Sequence, residues 1–202
     1  MPRPRLFVVA GPNGSGKSLF SSELTDADFE VFDGDKHMAN LTTRFPETGS
    51  EALWSYINEH LFKIQKQEAI SSRLNYAYET NFSSNNPMDS VHEFQKSGYE
   101  VHLIFIGLNS LEDSIQRVAY RVKLGGHKVS EESIKYNYEQ GLINLYQHFK
   151  DFDSVTIFDN SIAKTDKPTI PVQILHIFKR KLFFQAENYP YWVSPILEFL
   201  NK

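Results

Sequence analysis

Apolar residues along the chain fall into short runs that alternate with longer segments of helical periodicity. The runs at 6–10 and 101–108 are apolar almost throughout, which is typical of strands buried on both faces of a parallel sheet. In the segment 50–73, apolar residues recur at the spacing of an amphipathic helix. Strands that alternate with helices predict an α/β fold with a parallel sheet. The predicted strands are 6–10, 29–32, 75–80, 101–108 and 155–158, and the predicted helices are 16–24, 50–73, 87–96, 111–124, 130–149 and 191–200.

The pattern changes after the fifth predicted strand. Residues 172–185 form two apolar stretches around a basic Lys-Arg-Lys sequence, which predicts a β-hairpin-like extension before the final helix. A chain of 202 residues is long enough for one domain with a full core, and it has no internal repeat or interdomain linker. We therefore predict a single domain over 1–202, with a core over about 5–161 and a C-terminal extension over about 162–202.

The composition limits the classes of function. A net charge of −4 gives no bulk attraction to nucleic acid or to a membrane surface, so neither is an expected partner. The absence of cysteine excludes disulfides, thiolate zinc sites and a cysteine nucleophile. No apolar run approaches the ~20 residues that a membrane-spanning helix needs, and no signal-peptide core follows the N-terminus. The expected location is the cytoplasm.

The stretch GPNGSGKS follows the first predicted strand and matches the phosphate-binding loop pattern G-x-x-x-x-G-K-[ST] in full. Its glycines allow successive backbone N–H groups to surround a phosphate, Lys17 can reach the β- and γ-phosphates, and Ser18 can bind Mg²⁺. The alternative is a tight strand-to-helix turn with an exposed lysine. The motif predicts a P-loop NTPase fold with a five-stranded parallel sheet. The predicted nucleotide-binding residues are Gly11, Pro12, Asn13, Gly14, Ser15, Gly16, Lys17, Ser18 and Leu19.

Two acidic residues in the stretch FDGDK favour a kinase among the P-loop classes. The chain has no Asn-Lys-x-Asp motif of a GTPase, and the strand at 101–108 does not end in the acid expected of a motor. Small-molecule kinases place an acid after the second strand, where Asp33 and Asp35 lie. Ligands bind at the carboxyl ends of parallel strands, so a carboxylate here could orient or deprotonate an acceptor hydroxyl. A solvated Asp-Gly turn is the alternative.

Glu79 ends the third predicted strand, in the sequence YETNFSS. A carboxylate between an apolar strand and a polar loop suits contact with Mg²⁺-bound water or with the acceptor. A strand-end glutamate without such a role is equally consistent with the sequence.

Arg117 and Arg121 are four residues apart and therefore share one face of the predicted helix 111–124. Asp113 lies one turn before Arg117, and a Gly125-Gly126 pair follows the helix. Two arginines before a glycine hinge predict a lid that closes over polyphosphate and offsets developing charge. The alternative is an ordinary charged face on a surface helix.

These separate motifs together resemble those of the zeta-toxin-like P-loop kinases. The matching segments, which span about 6–161, are GPNGSGKS, FDGDKHMANL, YETNFSS, RVAYRVKLGGHKVSEESI and FDNS. The resemblance places Asp35 at the position of the catalytic aspartate, and Glu79 and Thr80 in the family's Glu-Thr motif. It implies ATP-dependent transfer to a hydroxyl of a small molecule. Better-known zeta toxins phosphorylate a nucleotide sugar and some act beside an antitoxin, which makes both candidates here.

The sequence also departs from the family pattern. Asp33 stands where the family usually has asparagine, and Asn137 stands where it has an arginine. Lys135 supplies a charge two residues earlier, but not with the bidentate geometry of arginine. His127, in the Gly-Gly-His loop, either contacts phosphate or holds the hinge, and we favour the second role.

We therefore predict an ATP- and Mg²⁺-dependent small-molecule kinase. A nucleotide-binding regulatory or toxin–antitoxin module with little turnover is the alternative, and a kinase of nucleic-acid ends is disfavoured by the acidic balance. The predicted catalytic residues are Lys17, Asp35, Arg117 and Arg121, the predicted substrate-binding residues are Asp33, Glu79 and Thr80, and the predicted metal ligand is Ser18.

Overall fold

A six-stranded sheet runs through the middle of the protein, whose computed structural model describes residues 3–25, 30–126, 128–161 and 170–201. The strands are β1 (Arg5–Ala10), β2 (Tyr76–Thr80), β3 (Glu100–Gly107), β4 (Ser154–Asp159), β5 (Val172–Phe178) and β6 (Lys181–Gln185). Their spatial order is β2-β1-β3-β4-β5-β6. The first four are parallel to one another, whereas β5 and β6 are antiparallel to their neighbours.

The parallel part of the sheet is buried on both faces, as its continuous apolar runs predict. Alternate side chains of β1 point to opposite faces, so Leu6 and Val8 join one apolar cluster and Phe7 joins another. On the larger side, Phe94 and Tyr99 pack edge to face with ring centroids 4.7 Å apart. The strands predicted at 6–10, 75–80, 101–108 and 155–158 are thereby confirmed as β1, β2, β3 and β4.

The prediction of five parallel strands is wrong. Of the strand predicted at 29–32, residue 29 lies outside the described residues, and Phe32 forms only an isolated parallel bridge with Tyr78. Its backbone N–H donates to Ala77 O at 2.9 Å, and its carbonyl accepts from Glu79 N at 2.8 Å. Asp33 follows at once and caps the next helix, so the chain leaves the sheet after one bridged residue.

The two C-terminal strands continue the central sheet instead of forming a separate extension. β5 pairs with β4, with Ile177 opposite Val155. β6 pairs in turn with β5 through a turn at Lys179 and Arg180, both of which have positive φ angles, of 47° and 63°. The sheet is therefore mixed, with four parallel strands followed by two antiparallel ones.

Helices cover both faces of the sheet, and one of them was not predicted. The helix at 34–44 begins where the sequence suggested only a turn, because the Asp33 carboxylate accepts from Lys36 N at 3.1 Å and caps it. The predicted helix 50–73 is confirmed, with a π-helical turn at Ile57–Phe62 in its middle. No described helix is long and apolar enough to cross a membrane. The α-helices are α1 (Lys17–Leu24), α2 (Gly34–Arg44), α3 (Ser50–Tyr56), α4 (Lys63–Ser72), α5 (Asn86–Lys96), α6 (Leu111–Lys123), α7 (Glu131–His148) and α8 (Ser194–Leu200).

Candidate active site

A cleft of about 970 Å³ lies at the carboxyl ends of β1, β2 and β4, where ligands bind in open parallel sheets. Its volume is at the upper end for small-molecule sites and leaves room for two ligands. The structure brings the predicted catalytic, metal-binding and substrate-binding residues together in the lining of this one cleft. They are Lys17, Ser18, Asp33, Asp35, Glu79, Thr80, Arg117 and Arg121.

The loop after β1 has the backbone conformation of a phosphate cradle. Gly11, Gly14 and Gly16 have φ angles of 149°, 77° and 93°, a region that favours glycine. A Cβ at Gly11 would stand 2.2 Å from Ile106 O, so β3 leaves no room for a side chain there. The hydroxyl of Ser15 is buried and has no hydrogen-bond partner among the described residues. Of the predicted loop residues, Gly11, Pro12 and Ser15 are buried, and Asn13, Gly14, Gly16, Lys17, Ser18 and Leu19 line the cleft.

Lys17 folds back against the loop that precedes it. Its Nζ donates to Gly11 O at 2.8 Å, to Pro12 O at 3.2 Å and to Asn81 Oδ1 at 3.0 Å. Burial lowers the pKa of the Lys17 ammonium, while the carboxylates of Glu79, Asp35 and Asp33 act in the opposite direction. The ammonium is thus desolvated, but it lies near three acids that favour its charged form.

Ser18, Asp33 and Glu79 form a cluster of oxygen atoms at the start of α1. The Ser18 hydroxyl lies 2.8 Å from Asp33 Oδ2 and 2.6 Å from Glu79 Oε2, yet it carries one hydrogen to share between two carboxylates. Ser21 donates to the other Glu79 oxygen at 2.8 Å. Hydroxyl and carboxylate oxygens are ligands that Mg²⁺ prefers, commonly one or two carboxylates together with substrate phosphates. The cluster therefore has the composition of a Mg²⁺ site completed by a nucleotide.

Ionisation of the Glu79 carboxyl costs free energy in this arrangement. Burial is the main cause that raises the pKa of its carboxyl, and Asp33 raises it further, while the Ser18 hydrogen bond and Lys17 oppose the shift. A carboxyl with a raised pKa in the folded state destabilises the fold at neutral pH. That cost disappears as the pH falls through the raised pKa towards the ordinary value.

We predict that Glu79→Gln raises the melting temperature of the nucleotide-free protein at neutral pH. Removal of the charge relieves the desolvation and the repulsion by Asp33, and each kcal/mol relieved corresponds to about 2–4 °C. The difference from the wild type should shrink as the pH is lowered, since Glu79 then becomes protonated in both states. Calorimetric melting checks this, with Glu23→Gln on the exposed face of α1 as the matched control. A lower melting temperature for Glu79→Gln at neutral pH would contradict it.

The two aspartates of the FDGDK stretch lie in different environments. Both oxygens of Asp33 are engaged, Oδ1 by Lys36 N and Oδ2 by Ser18 Oγ. Asp35 is exposed in the first turn of α2 and faces the cleft. Asp35 is therefore the one with a carboxylate available to a second substrate.

Thr80 has a structural contact that the sequence did not suggest. Its Oγ1 accepts from Phe82 N at 2.9 Å and holds the loop after β2, in which Phe82 has a φ angle of 55°. The intervening Asn81 reaches Lys17, and its carbonyl lies against Gly141 of α7. Thr80 thus helps to position a residue that touches the phosphate loop.

Helix α6 packs directly on the phosphate loop. A Cβ at Gly14 would stand 3.0 Å from Arg117 Cβ, and Ser114 Oγ donates to Asn13 O at 2.5 Å. Arg117 donates to Gly14 O at 3.5 Å and to Asn160 O, and burial lowers the pKa of its guanidinium while Asp113 and Asp159 oppose this. The guanidinium remains charged, because arginine is not deprotonated in proteins.

Arg121 lines the cleft on the same helix and acts electrostatically on Lys17. Gly126 lies against its side chain, since a Cβ there would stand 2.6 Å from Arg121 Cγ. His127 lies outside the described residues, so its role as a phosphate contact or as a hinge residue stays a prediction. Both predicted arginines are thus found together at the loop that would hold phosphate.

Two asparagine side chains form hydrogen bonds to the phosphate loop, and the sequence alone did not indicate these contacts. Asn137, at the position of the family's arginine, donates to Asn13 Oδ1 at 2.8 Å. Asn160, which follows β4, donates to Ser15 O at 2.8 Å. Both contacts join residues more than 100 positions apart, so no local pattern could have revealed them.

The other end of the cleft is lined by aromatic side chains, for which the sequence predicted no functional role. Phe62 lies between Phe32 and Tyr78, with ring centroids 5.0 Å and 5.3 Å away. Trp54 covers the first turn of α2, 3.2 Å from the position of a Cβ on Gly34. We refer to Phe32, Trp54, Phe62 and Tyr78 as the aromatic wall.

Comparison with known sequences gives two matches that agree with this geometry. A sequence model of the zeta toxin family matches residues 1–165. An uncharacterized protein of Haemophilus influenzae is 31% identical over 150 residues, which cover 68% of this chain and 100% of that protein.

Two solved structures share the architecture. One comes from the PezAT chromosomal toxin–antitoxin system of Streptococcus pneumoniae, with a TM-score of 0.65, 12% identity, and coverage of 100% of this chain and 86% of the other. The second is AvrRxo1-ORF1:-ORF2 with ATP, with a TM-score of 0.64, 13% identity, and coverage of 99% and 64%. At such identities the similarity is one of fold.

Proposed function

This chain belongs to the zeta toxin family, and from that premise we propose that it is an ATP-dependent kinase of a small-molecule hydroxyl. The observation that carries the proposal is the cleft itself. It joins a complete phosphate loop to the acidic residues Asp33, Asp35 and Glu79 within one continuous space. Phosphoryl transfer needs such positioning and charge stabilisation and little covalent chemistry from the protein.

The phosphate loop supports a triphosphate as the first substrate. The backbone N–H groups around Gly14 and the N-terminus of α1 provide donors and partial positive charge for a phosphate. Lys17 exchanges its bonds to Gly11 O and Pro12 O for the β- and γ-phosphate oxygens, which is favourable because a charged acceptor replaces neutral carbonyls.

Ser18, with Asp33 and Glu79 beside it, would hold Mg²⁺ directly or through water. The ion would supply positive charge that offsets part of the charge of the triphosphate. Ser18 Oγ, which has one hydrogen for two carboxylates, would provide an oxygen ligand to it.

In the transfer step, Asp35 accepts the proton of the acceptor hydroxyl as its oxygen attacks the γ-phosphorus. The bond from the γ-phosphorus to the bridging oxygen breaks, and the electron pair leaves with ADP. Arg117 and Arg121 lie on the phosphate side and stabilise the charge that spreads over the transferred group. The products are ADP and a phosphate monoester.

A panel experiment tests the proposal. The protein is incubated with γ-labelled ATP, Mg²⁺ and nucleotide sugars, nucleosides and sugars, and labelled esters are separated from inorganic phosphate. We expect label in at least one ester. Mg-ATP binding with label in no ester would favour the alternative function below.

The alternative is a nucleotide-binding regulatory or toxin–antitoxin module with little turnover. It is favoured by one observation: Asn137, at the family's arginine position, binds Asn13 and is not part of the cleft lining. The fold similarity to the structure from the PezAT toxin–antitoxin system supports the further proposal that an antitoxin-like protein is a partner. Single-turnover assays separate the two functions, since a module would bind Mg-ATP without consuming it.

Ser114 and Arg117 already hold the first part of α6 on the phosphate loop, so we predict that the end of α6 beyond Arg117 and the following Gly125-Gly126 turn close as a lid over the nucleotide. Mg-ATP should slow hydrogen exchange at 117–126 more than at 172–185, which lies away from the cleft. Arg121→Ala should lower turnover by about 10² while Mg-ATP affinity changes less, because the charge that it meets grows in the transition state. Lys123→Ala, in the same turn of α6 but outside the cleft lining, is the matched control. Equal protection of both segments, with normal turnover in Arg121→Ala, would refute the lid.

A further inference from the structure

We infer that the acceptor is a hydroxyl compound with a flat apolar face and without a phosphate or carboxylate group. The inference rests on the proposed kinase function and names the substrate class of the same cleft. It follows from two features of the cleft, the distribution of its charges and the geometry of its aromatic wall.

The charges of the cleft are divided unevenly between its two ends. Among the described residues of the lining, the cations are Lys17, Arg117 and Arg121. Lys17 and Arg117 bond to carbonyls of the phosphate loop, and Arg121 acts on Lys17. All three therefore lie where the triphosphate is expected, and ATP would engage them.

The acceptor end has an acid, Asp35, and no described cation in its lining. Asp35 is in the first turn of α2, where the preceding Gly34 touches Trp54, whereas Asp33 belongs to the cluster with Ser18 and Glu79. Lys66 contacts the Phe62 ring, but it is paired with Glu93 at 2.6 Å and is not part of the lining. An acceptor with its own phosphate at this end would thus meet the Asp35 carboxylate with no cationic side chain among the described lining residues, and like charges that face each other weaken binding.

The aromatic wall provides an apolar binding surface in place of charge. Trp54, Asn58 and Phe62 are spaced four residues apart and all line the cleft, while Ile57 is fully buried in the core behind them. Asn58 and Phe62 lie within the π-helical turn at Ile57–Phe62, and such turns are frequent at functional sites. Trp54 and Phe62 are half-buried, so they offer ring surface to a ligand.

The polar groups that accompany the wall are uncharged. Asn58, Ser84, Asn86 and Ser90 line this end, and the Tyr78 hydroxyl is already bonded to Pro87 O at 3.0 Å. Amides and hydroxyls can bond to hydroxyl or amine groups of a ligand, and they supply no net charge to offset that of an anionic one. The acceptor end therefore selects for an aromatic or similarly flat alcohol, with or without an amine.

Tryptophan fluorescence can test this without turnover. The chain has two tryptophans, of which Trp192 is buried against Gly107, so a ligand on the wall changes the emission of Trp54. Uridine, phenyl β-glucoside and 2-amino-1-phenylethanol are titrated against their phosphate esters, with and without Mg²⁺ and a non-hydrolysable ATP analogue. Trp54→Phe identifies the signal. We expect each parent compound to bind at least about tenfold more tightly than its ester.

A charge variant gives the matching test. Asn58→Lys adds a cation to the wall and should reduce or reverse the preference, whereas Ser55→Lys, exposed on α3 but outside the lining, should not. Any of three results would overturn the inference. These are tighter or equal binding of the esters, a failure of every parent compound and ester to bind, and an unchanged preference in Asn58→Lys. Calorimetry of Mg-ATP with the same protein reports on the kinase proposal separately, because it does not involve the acceptor end.

Discussion

Replacement of Lys17 by alanine should remove turnover by a factor of about 10³ or more, and it should weaken Mg-ATP binding. Lys17 is the cation of the phosphate loop, and its loss leaves the γ-phosphate without its main charged donor in a partly desolvated cleft. The fold should survive, because burial of the ammonium already costs stability and its bonds go to loop carbonyls. Isothermal calorimetry, a coupled ADP assay and thermal melting measure the three effects.

Lys36→Ala is the matched control for this variant. Lys36 is an exposed lysine of α2 whose side chain pairs with Glu30 at 3.5 Å, and its capping contact uses the backbone N–H that alanine keeps. It should bind and turn over nucleotide as the wild type does. Unchanged affinity and rate in Lys17→Ala would show that the loop does not hold a triphosphate.

Replacement of Asp35 by asparagine should lower the rate of transfer by about 10²–10⁴ with nearly normal Mg-ATP affinity, as expected for loss of a general base. Asp35 is exposed to the cleft, whereas both oxygens of Asp33 are engaged by Lys36 N and Ser18. Asp33→Asn should act differently. It keeps a helix cap, since asparagine caps as well as aspartate, but it removes a charge from the Mg²⁺ cluster.

A comparison of Asp35→Asn with Asp33→Asn, which are isosteric changes, decides which aspartate is the general base. Asp33→Asn should raise the Mg²⁺ concentration needed for ATP binding, and Asp35→Asn should leave it unchanged. Single-turnover kinetics at saturating Mg-ATP then measure the transfer step alone. Loss of transfer in Asp33→Asn with normal transfer in Asp35→Asn would reverse the roles.

The part of the fold that was predicted correctly depends on local sequence. A buried parallel strand needs an uninterrupted apolar run, and the runs that became β1 and β3 have one. The strand predicted at 29–32 failed because Asp33 caps α2, and a capping bond depends on backbone geometry that the Asp-Gly pair does not reveal. The C-terminal strands were recognised as strands, but the pairing of β5 with β4, which joins both to the central sheet, is a long-range contact.

The candidate site likewise has parts that the local sequence indicates and parts that only the structure shows. The motif around Lys17 and Ser18 is contiguous in sequence and could be recognised directly. The contact between Asn137 and Asn13 joins α7 to the loop, so the sequence indicated only a missing arginine there. Trp54 and Phe62 are apolar residues of the predicted helix 50–73, and only the tertiary structure shows that they face the cleft.

The most direct test of kinase function does not require the acceptor to be guessed. The protein is incubated with Mg²⁺, γ-¹⁸O-labelled ATP and the small-molecule fraction of a cell extract, and new compounds with labelled phosphate are sought by mass spectrometry. We predict at least one labelled phosphate monoester, which is absent with Lys17→Ala and strongly reduced with Asp35→Asn. Label confined to ATP and inorganic phosphate, although calorimetry shows that Mg-ATP is bound, would contradict the kinase assignment.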